Sequence, residues 1–222
     1  MIIAIDGPEA SGKGTVAKLI AKKYKLRHLD SGLLYRLTGV NLLDQGITDD
    51  TTDTFVTAAI SAANQITAED LDNPPNNIRS MGVGINASKV AVIPDVRDIL
   101  TAIQQNIATK KPGAVIDGRD IGTVVFPNAD FKFWITASLE HRAKRRFLDY
   151  QASGRKDTLE EVTQAIKDRD YRDRNRAASP MKKADDAHLI DTSKMSIDAV
   201  IEALSTYINA KLANRVGKGQ SQ

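Results

Sequence analysis

The sequence contains no cysteine in its 222 residues. Disulfides, thiolate metal sites and a cysteine nucleophile are therefore excluded. It also lacks any apolar run approaching the ~18 residues that a membrane span requires. The opening MIIAIDGPEASGKG has, after Met1, four apolar residues before acid and glycine. That is not the pattern of a signal peptide, and the expectation is a cytoplasmic protein with no membrane partner. Aromatic residues are scarce, at 5% of the chain. Neither sign of charge dominates, with 31 Lys+Arg against 28 Asp+Glu and a formal net charge of +3. Residues 138–176 hold 11 basic and 8 acidic side chains, and the rest of the chain is balanced at 20 each. The positive excess is thus local, as a site for an anion would be, and not spread over a nucleic-acid-coating surface. That basic segment has only Phe147, Tyr150 and Tyr171 as aromatics, too few for a base-stacking stripe. No nucleic-acid partner is expected, and the chain is expected to be a monomer.

What is present is a core-forming composition, 41% hydrophobic and 27% charged, of the size of one domain. Short apolar runs alternate with helix-length segments. Strands are expected at Ile2–Ile5, His28–Leu29, Ala114–Asp117, Phe131–Thr136 and Ala187–Asp191. Helices are expected at Thr15–Tyr24, with an apolar face of Val16, Leu19 and Ile20, and at about 33–44, 52–63, 95–109, 138–152, 158–174 and 197–212. Strands separated by helices imply an α/β fold with a five-stranded parallel sheet covered on both faces. Ligands in such folds sit at the carboxyl ends of the strands, where Asp6, Asp30, Asp117 and Asp191 fall. The tail from 215 to 222 reads as disordered.

The run Gly7-Pro8-Glu9-Ala10-Ser11-Gly12-Lys13-Gly14-Thr15 joins a strand to a helix. It is a G-x-x-x-x-G-K phosphate loop in the context that motif requires. Glycines let successive backbone N–H groups close on phosphate oxygens, and the following helix points its positive end at them. Lys13 reaches the β/γ-phosphates. Thr15 is placed to help hold Mg²⁺, directly or through water, although Gly14 stands where a Ser or Thr usually follows the lysine. ATPases, GTPases, sulfotransferases and small-molecule kinases share this loop. A short chain with the GKGT form and a second anion-binding system favours a kinase.

That second system begins at Asp30-Ser31-Gly32-Leu33-Leu34-Tyr35-Arg36. Asp30 or Ser31 caps the next helix, and Arg36, one turn in, can take a phosphate bidentately. It continues through Ser88, Arg97 and the segment Asp117-Gly118-Arg119-Asp120-Ile121-Gly122-Thr123-Val124-Val125-Phe126-Pro127. It ends in Arg169-Asp170-Tyr171-Arg172-Asp173-Arg174-Asn175-Arg176, four arginines in eight residues. At 3.6 residues per turn, Arg169, Asp173 and Arg176 share a helical face, with the carboxylate between two guanidiniums.

Together DSGLLYR, GRDIGTVVFP, RDYRDRNR followed by Pro180, and the late DDAHLIDTS segment resemble the bacterial cytidylate (CMP) kinase family over residues 2–212. The resemblance implies a P-loop NTPase fold in one kinase domain, residues 1–214. The core would be 1–35, 96–144 and 169–214, with an NMP-binding part at 36–95 and a mobile lid at 145–168. It implies ATP and CMP or dCMP as substrates and Mg²⁺ as cofactor. It places Ser31, Arg36 and Arg119 by the CMP phosphate, Ser88, Arg97 and Asp120 around cytosine, and Tyr35 among the CMP-binding residues. Arg169 and Asp173 would be at the ribose and Arg176 at the phosphates. Arg142, Arg145 and Arg146 would be lid or hinge contacts to ATP. Lys13, Arg119 and Arg176 would carry the catalytic charge stabilisation. The family's antiparallel hairpin insert has no counterpart pattern in Ile66–Val83, so a reduced, irregular insert is expected there. Phosphoryl transfer of this kind needs positioning and charge neutralisation more than a general base. His28, His141 and His188 show no metal spacing and read as structural. Two other readings stand beside this one. The first is a kinase of the same fold acting on UMP, AMP or a non-nucleotide acceptor. The second is a nucleotide-switched binding protein.

Overall fold

A computed structural model describes residues 1–219, with the side chains of Ala68, Met81 and 215–219 left aside. The chain opens with strand β1 (Ile2–Asp6), helix α1 (Lys13–Tyr24), β2 (Arg27–Asp30) and α2 (Ser31–Asp44). A helical stretch follows: α3 (Asp53–Asn64), α4 (Ala68–Asp72), a 3-10 turn (Asn76–Arg79), α5 (Met81–Val90) and α6 (Pro94–Ala108). Then come β3 (Ala114–Gly118), a π-turn (Ile121–Val125), β4 (Phe131–Thr136), α7 (Leu139–Ala152), α8 (Leu159–Asn175), β5 (His188–Asp191) and α9 (Ile197–Gly219). The last helix runs past the expected end at 212. The expected tail at 215–222 lies partly outside the described residues.

All five strands pair in parallel, in the order β2-β3-β1-β4-β5. Continuous apolar runs suit strands covered on both faces. Alternation decides which side chain meets which layer. Ile3, Ile5, Val115, Phe133 and Ile135 face α1 and α9 through Val16, Ile20, Val200, Leu204 and Ile208. Ala4, Ala114 and Ile116 face the opposite layer with Ala108, Ile121 and Phe126. On α1 the buried face is Val16, Ala17, Ile20 and Ala21, whereas Leu19 is 38% exposed. Leu19 therefore leaves the apolar face that the sequence assigned it. Small Ala17 and Ala21 take the place next to the sheet, where a helix packs closest.

The strand order reverses at β1, so the loop after β1 opens at the topological switch point, where such sheets bind ligands. The segment between α2 and α6 builds a second core from Leu34, Leu42, Phe55, Ala59, Val90, Val96 and Leu100. Its helices are locally encoded. The Thr52 side chain accepts from Phe55 N, Thr67 and Asp70 form a capping box, and the Ser80 side chain accepts from Val83 N. Ile66–Val83 is built of short helical turns and contains no strand. Helix α5, absent from the expected elements, brings Ser88 toward α2. Helices α7 and α8 form an antiparallel pair around Ala143, Val162 and Ile166, with Phe147, Tyr150 and the loop residue Ala10 against them. Gly154, at φ +78°, makes the break between them.

Candidate active site

The loop after β1 is fixed by backbone geometry. A Cβ on Gly7 would lie 2.0 Å from the carbonyl oxygen of Ile135, so no larger residue fits. Gly12 sits at φ +87° and α1 begins at Lys13 with no side-chain cap, leaving its first-turn N–H groups for an anion. Thr192 Oγ1 donates to the Ser11 carbonyl (3.1 Å) and Arg145 donates to the same carbonyl and to Thr192, tying the loop to the end of β5. Arg145 is thereby a strut for the loop, while its neighbour Arg146 turns to the opposite side, onto Glu9. Lys13 is buried, its Nζ donating to the Pro8 carbonyl at 3.1 Å. Burial, and then repulsion from Arg119, push its pKa down to about 7. Thr15 is exposed on the first turn of α1.

Beside the loop, the strand ends supply carboxylates. Asp6 accepts from the backbone N–H groups of Ile121 (2.8 Å) and Gly122 (2.7 Å). It therefore anchors the turn that carries Asp120, and burial raises its pKa to about 7. Asp117 pairs with His28 at 2.8 Å and abuts Gly14, whose Cβ would sit 3.5 Å from Asp117 Oδ2. His28 thus lies next to the phosphate loop, although it gives no motif in the sequence. Asp30 occupies the N-cap position of α2 but its side chain makes no capping bond. Its carboxyl pKa is raised, by burial and then by Asp117. Ser31 is buried at the start of α2, close enough to β3 that a Cβ on Gly118 would fall 2.5 Å from its Oγ.

The arginines are paired differently from the helical-face expectation. Helix α8 ends at Asn175, and Arg176 leaves it in an extended conformation (φ −64°, ψ 139°). Arg176 reaches the Ser179 carbonyl (2.7 Å) and Asp120 (3.1 Å). Asp173 instead binds Arg119 at 2.9 Å. Arg169 binds Glu9 at 2.5 Å. Asp173 is therefore not the clamp between Arg169 and Arg176, because a spacing rule for a helical face fails where the helix stops. Asp120 lies between Arg97 and Arg176, both of them ion-paired to it. It makes no capping bond to the turn that follows. Arg97 is buried in α6 and lies over the Tyr35 ring at 5.5 Å.

A cavity opens where the loop, the α2/α5 pair and the α7/α8 pair meet. Its lining includes Glu9, Arg36, Arg79, Arg146, Arg169 and Arg172, with Ser88 on the α5 side. Five cations around one carboxylate form a receptor for a multiply charged anion. Arg36 donates to the Ile78 carbonyl at 3.1 Å, and burial followed by repulsion from Arg169 lowers its pKa to about 10. Arg79 and Arg172 were not singled out by the sequence reading. Arg172 was visible in the arginine run, but its face was not, and Arg79 stands in an Asn/Pro-rich stretch with no motif. Arg142 is structural here: it holds the Glu9 carbonyl (3.0 Å), the Ala137 carbonyl (3.0 Å) and Asp170 (2.8 Å).

The family model described as cytidylate kinase matches residues 3–210. Cytidylate kinase of Bartonella bacilliformis is 45% identical over 214 residues, covering 96% of this chain and 97% of that protein. Cytidylate kinase of Methylocella silvestris is 48% identical over 203 residues, 91% of each chain. Among solved structures, an uncharacterised protein from Eubacterium ventriosum superposes with a TM-score of 0.55 at 16% identity, covering 94% of this chain and 98% of that one. At that identity the likeness speaks to the fold alone.

Proposed function

The chain belongs to the cytidylate kinase family, and on that premise we propose that it transfers the γ-phosphoryl group of ATP to CMP, and to dCMP, yielding ADP and CDP or dCDP. The observation that carries this is the contact between the two halves of the site. The phosphate loop, through Glu9, touches two arginines of the cationic cavity, Arg146 and Arg169, and Arg119 beside it, so a nucleotide on the loop and an anionic acceptor in the cavity would meet phosphate to phosphate. An acceptor phosphate oxygen is already an anion and needs no general base. The protein's task is alignment and charge neutralisation.

In this reading the backbone N–H groups of the loop from Glu9 to Thr15, together with Lys13, hold the ATP phosphates. Arg36 and Arg119 orient the acceptor phosphate beside Ser31 and Tyr35. Asp120, fixed by Arg97 and Arg176, accepts a hydrogen bond from the cytosine amino group, with Ser88 nearby. Arg169 and Asp173 serve the ribose. Residues 36–95 enclose the acceptor. The α7/α8 pair, with its break at Gly154, acts as the lid, excluding water and so suppressing hydrolysis of ATP. Among the described residues no group of three or more His, Cys, Asp or Glu could hold a metal ion. Such a site fits Mg²⁺ that arrives on the nucleotide, with phosphate oxygens as its main ligands and Thr15 helping at the helix start. When bound, the ion would supply charge neutralisation across the β/γ-phosphates. A coupled assay with ATP and a panel of nucleoside monophosphates tests the proposal. CMP and dCMP should show the highest kcat/KM. A higher value for UMP or AMP, or turnover of none of them, would refute it.

A further inference from the structure

The phosphate loop carries an anion of its own. Glu9 is the third residue of that loop, its side chain is only 8% exposed, and three guanidiniums converge on it. They come from three separate segments: Arg119 after β3 (3.5 Å), Arg146 on α7 and Arg169 on α8 (2.5 Å). Burial alone would raise its pKa, but Arg169, Arg119 and Arg146 hold its carboxyl well below the usual range. A carboxylate here is the opposite of what a phosphate-binding loop needs, unless it stands where a phosphate is to go. Its two oxygens do not exhaust the donors around it. The Nε atoms of Arg146 and Arg169 are buried and donate to nothing in the described protein. An acceptor with more oxygens and more charge would satisfy them better.

We propose that Glu9 is a built-in counter-anion and positioning residue for the proposed phosphoryl transfer. Without substrate, its carboxylate draws Arg119, Arg146 and Arg169 into phosphate-binding geometry. A substrate phosphate then displaces it from the same donors. Two opposed effects follow. The charge of Glu9 keeps mutually repelling guanidiniums together, which lowers the ordering cost of binding. The same charge competes with the incoming phosphate, which weakens binding. Glu9 thereby sets the affinity of the site for phosphates and keeps the enzyme from being trapped by its own nucleotides. It also joins the loop to both helices of the α7/α8 pair, so its displacement coincides with retargeting of the lid arginines.

The proposal rests on the kinase reading only for its consequence in turnover, and its test needs no acceptor. Binding of inorganic tripolyphosphate is measured by titration calorimetry, and the melting temperature by calorimetry without ligand, for wild type, Glu9→Gln and Glu9→Asp. Removing one carboxylate from direct contact with the arginines should tighten tripolyphosphate binding about tenfold or more. It should also lower the ligand-free melting temperature. Glu9→Asp keeps the charge but withdraws it, so it should keep most of the stability and tighten binding about two- to fivefold. In kinetics, Glu9→Gln should lower KM for ATP and for the acceptor without raising kcat. Unchanged or weaker tripolyphosphate binding by folded Glu9→Gln would make Glu9 an ordinary structural ion pair. Should Glu9→Gln not fold, unchanged binding by Glu9→Asp overturns the proposal equally. A chain that phosphorylated some other acceptor would still show the tighter anion binding, so the two readings fail separately.

Discussion

Replacing Lys13 by Met should make the ligand-free protein more stable while it destroys activity. The lysine is buried, its pKa is pushed to about 7 against an ordinary value of 10.5, and burial is the largest cause, with Arg119 next. Because the folded pKa lies below the unfolded one, the folded protein binds fewer protons between about pH 7 and 10.5. Stability therefore rises with pH across that window. At pH 7, a shift from 10.5 to about 7 corresponds to a cost of about 4 kcal/mol for burying this amine. Methionine removes that cost but also loses the bond to the Pro8 carbonyl, worth about 1 kcal/mol net. The variant should thus gain about 3 kcal/mol at pH 7, and the gain should fade as pH rises toward 10. Urea unfolding of both proteins at several pH values measures the difference; groups remote from Lys13 cancel in the comparison, while Asp6 and Asp30, whose ionisation Lys13 favours, reduce the gain. Turnover should fall at least about 10²-fold, since the lysine stabilises charge on the transferring phosphates. A variant no more stable than wild type, or a difference that ignores pH, would refute the burial argument. Normal turnover by a folded variant would remove the loop from the mechanism.

Asp120→Asn should lower stability by about 3 kcal/mol, because Arg97 and Arg176 lose their common charge partner in a buried setting. It should also narrow the ratio of CMP to UMP efficiency, since an amide can offer either a donor or an acceptor to the base. A loss of stability with an unchanged ratio would place selectivity elsewhere. Arg119→Ala and Asp173→Asn should each reduce kcat/KM and should do so non-additively, because they form one ion pair at 2.9 Å. Strictly additive losses in the double variant would separate them. Limited proteolysis near Gly154–Lys156, at the break between α7 and α8, should slow when a bisubstrate analogue closes the pair. Cleavage at the same rate would mean that the segment does not move on binding.

The fold was legible in the sequence because its signals are local. Apolar runs such as Ile2–Ile5 and Phe131–Thr136 alternate with amphipathic stretches, and that pattern alone yields five parallel strands under helices. The phosphate loop was equally legible. Its glycines, lysine and helix start act within nine residues, through backbone geometry that the residues themselves impose. The DSGLLYR and GRDIGTVVFP motifs pointed to the right strand ends for the same reason. Helix α5 gives little helical signal because of its glycines and short polar residues, and packing of Val90 beside Leu34 and of Val83 beside Leu37, Val40 and Ile78 supplies what local propensity does not.

Which charge meets which was decided only by the tertiary structure. Helical spacing placed Asp173 between Arg169 and Arg176, but α8 ends one residue too soon and Arg176 departs to Asp120. Arg79 gave no signal, since its place in the cavity depends on how the α3–α5 helices pack over α2. In the sequence Glu9 is one residue of the phosphate loop, with nothing to mark its side chain. It became the centre of a three-arginine cage because three segments, 110 to 160 residues further along, return to the same strand end. Ion pairs of this kind leave no periodicity to read. Their partners are chosen by where the sheet order brings the strand ends and helices together, and long flexible arginines adapt to whichever carboxylate arrives there.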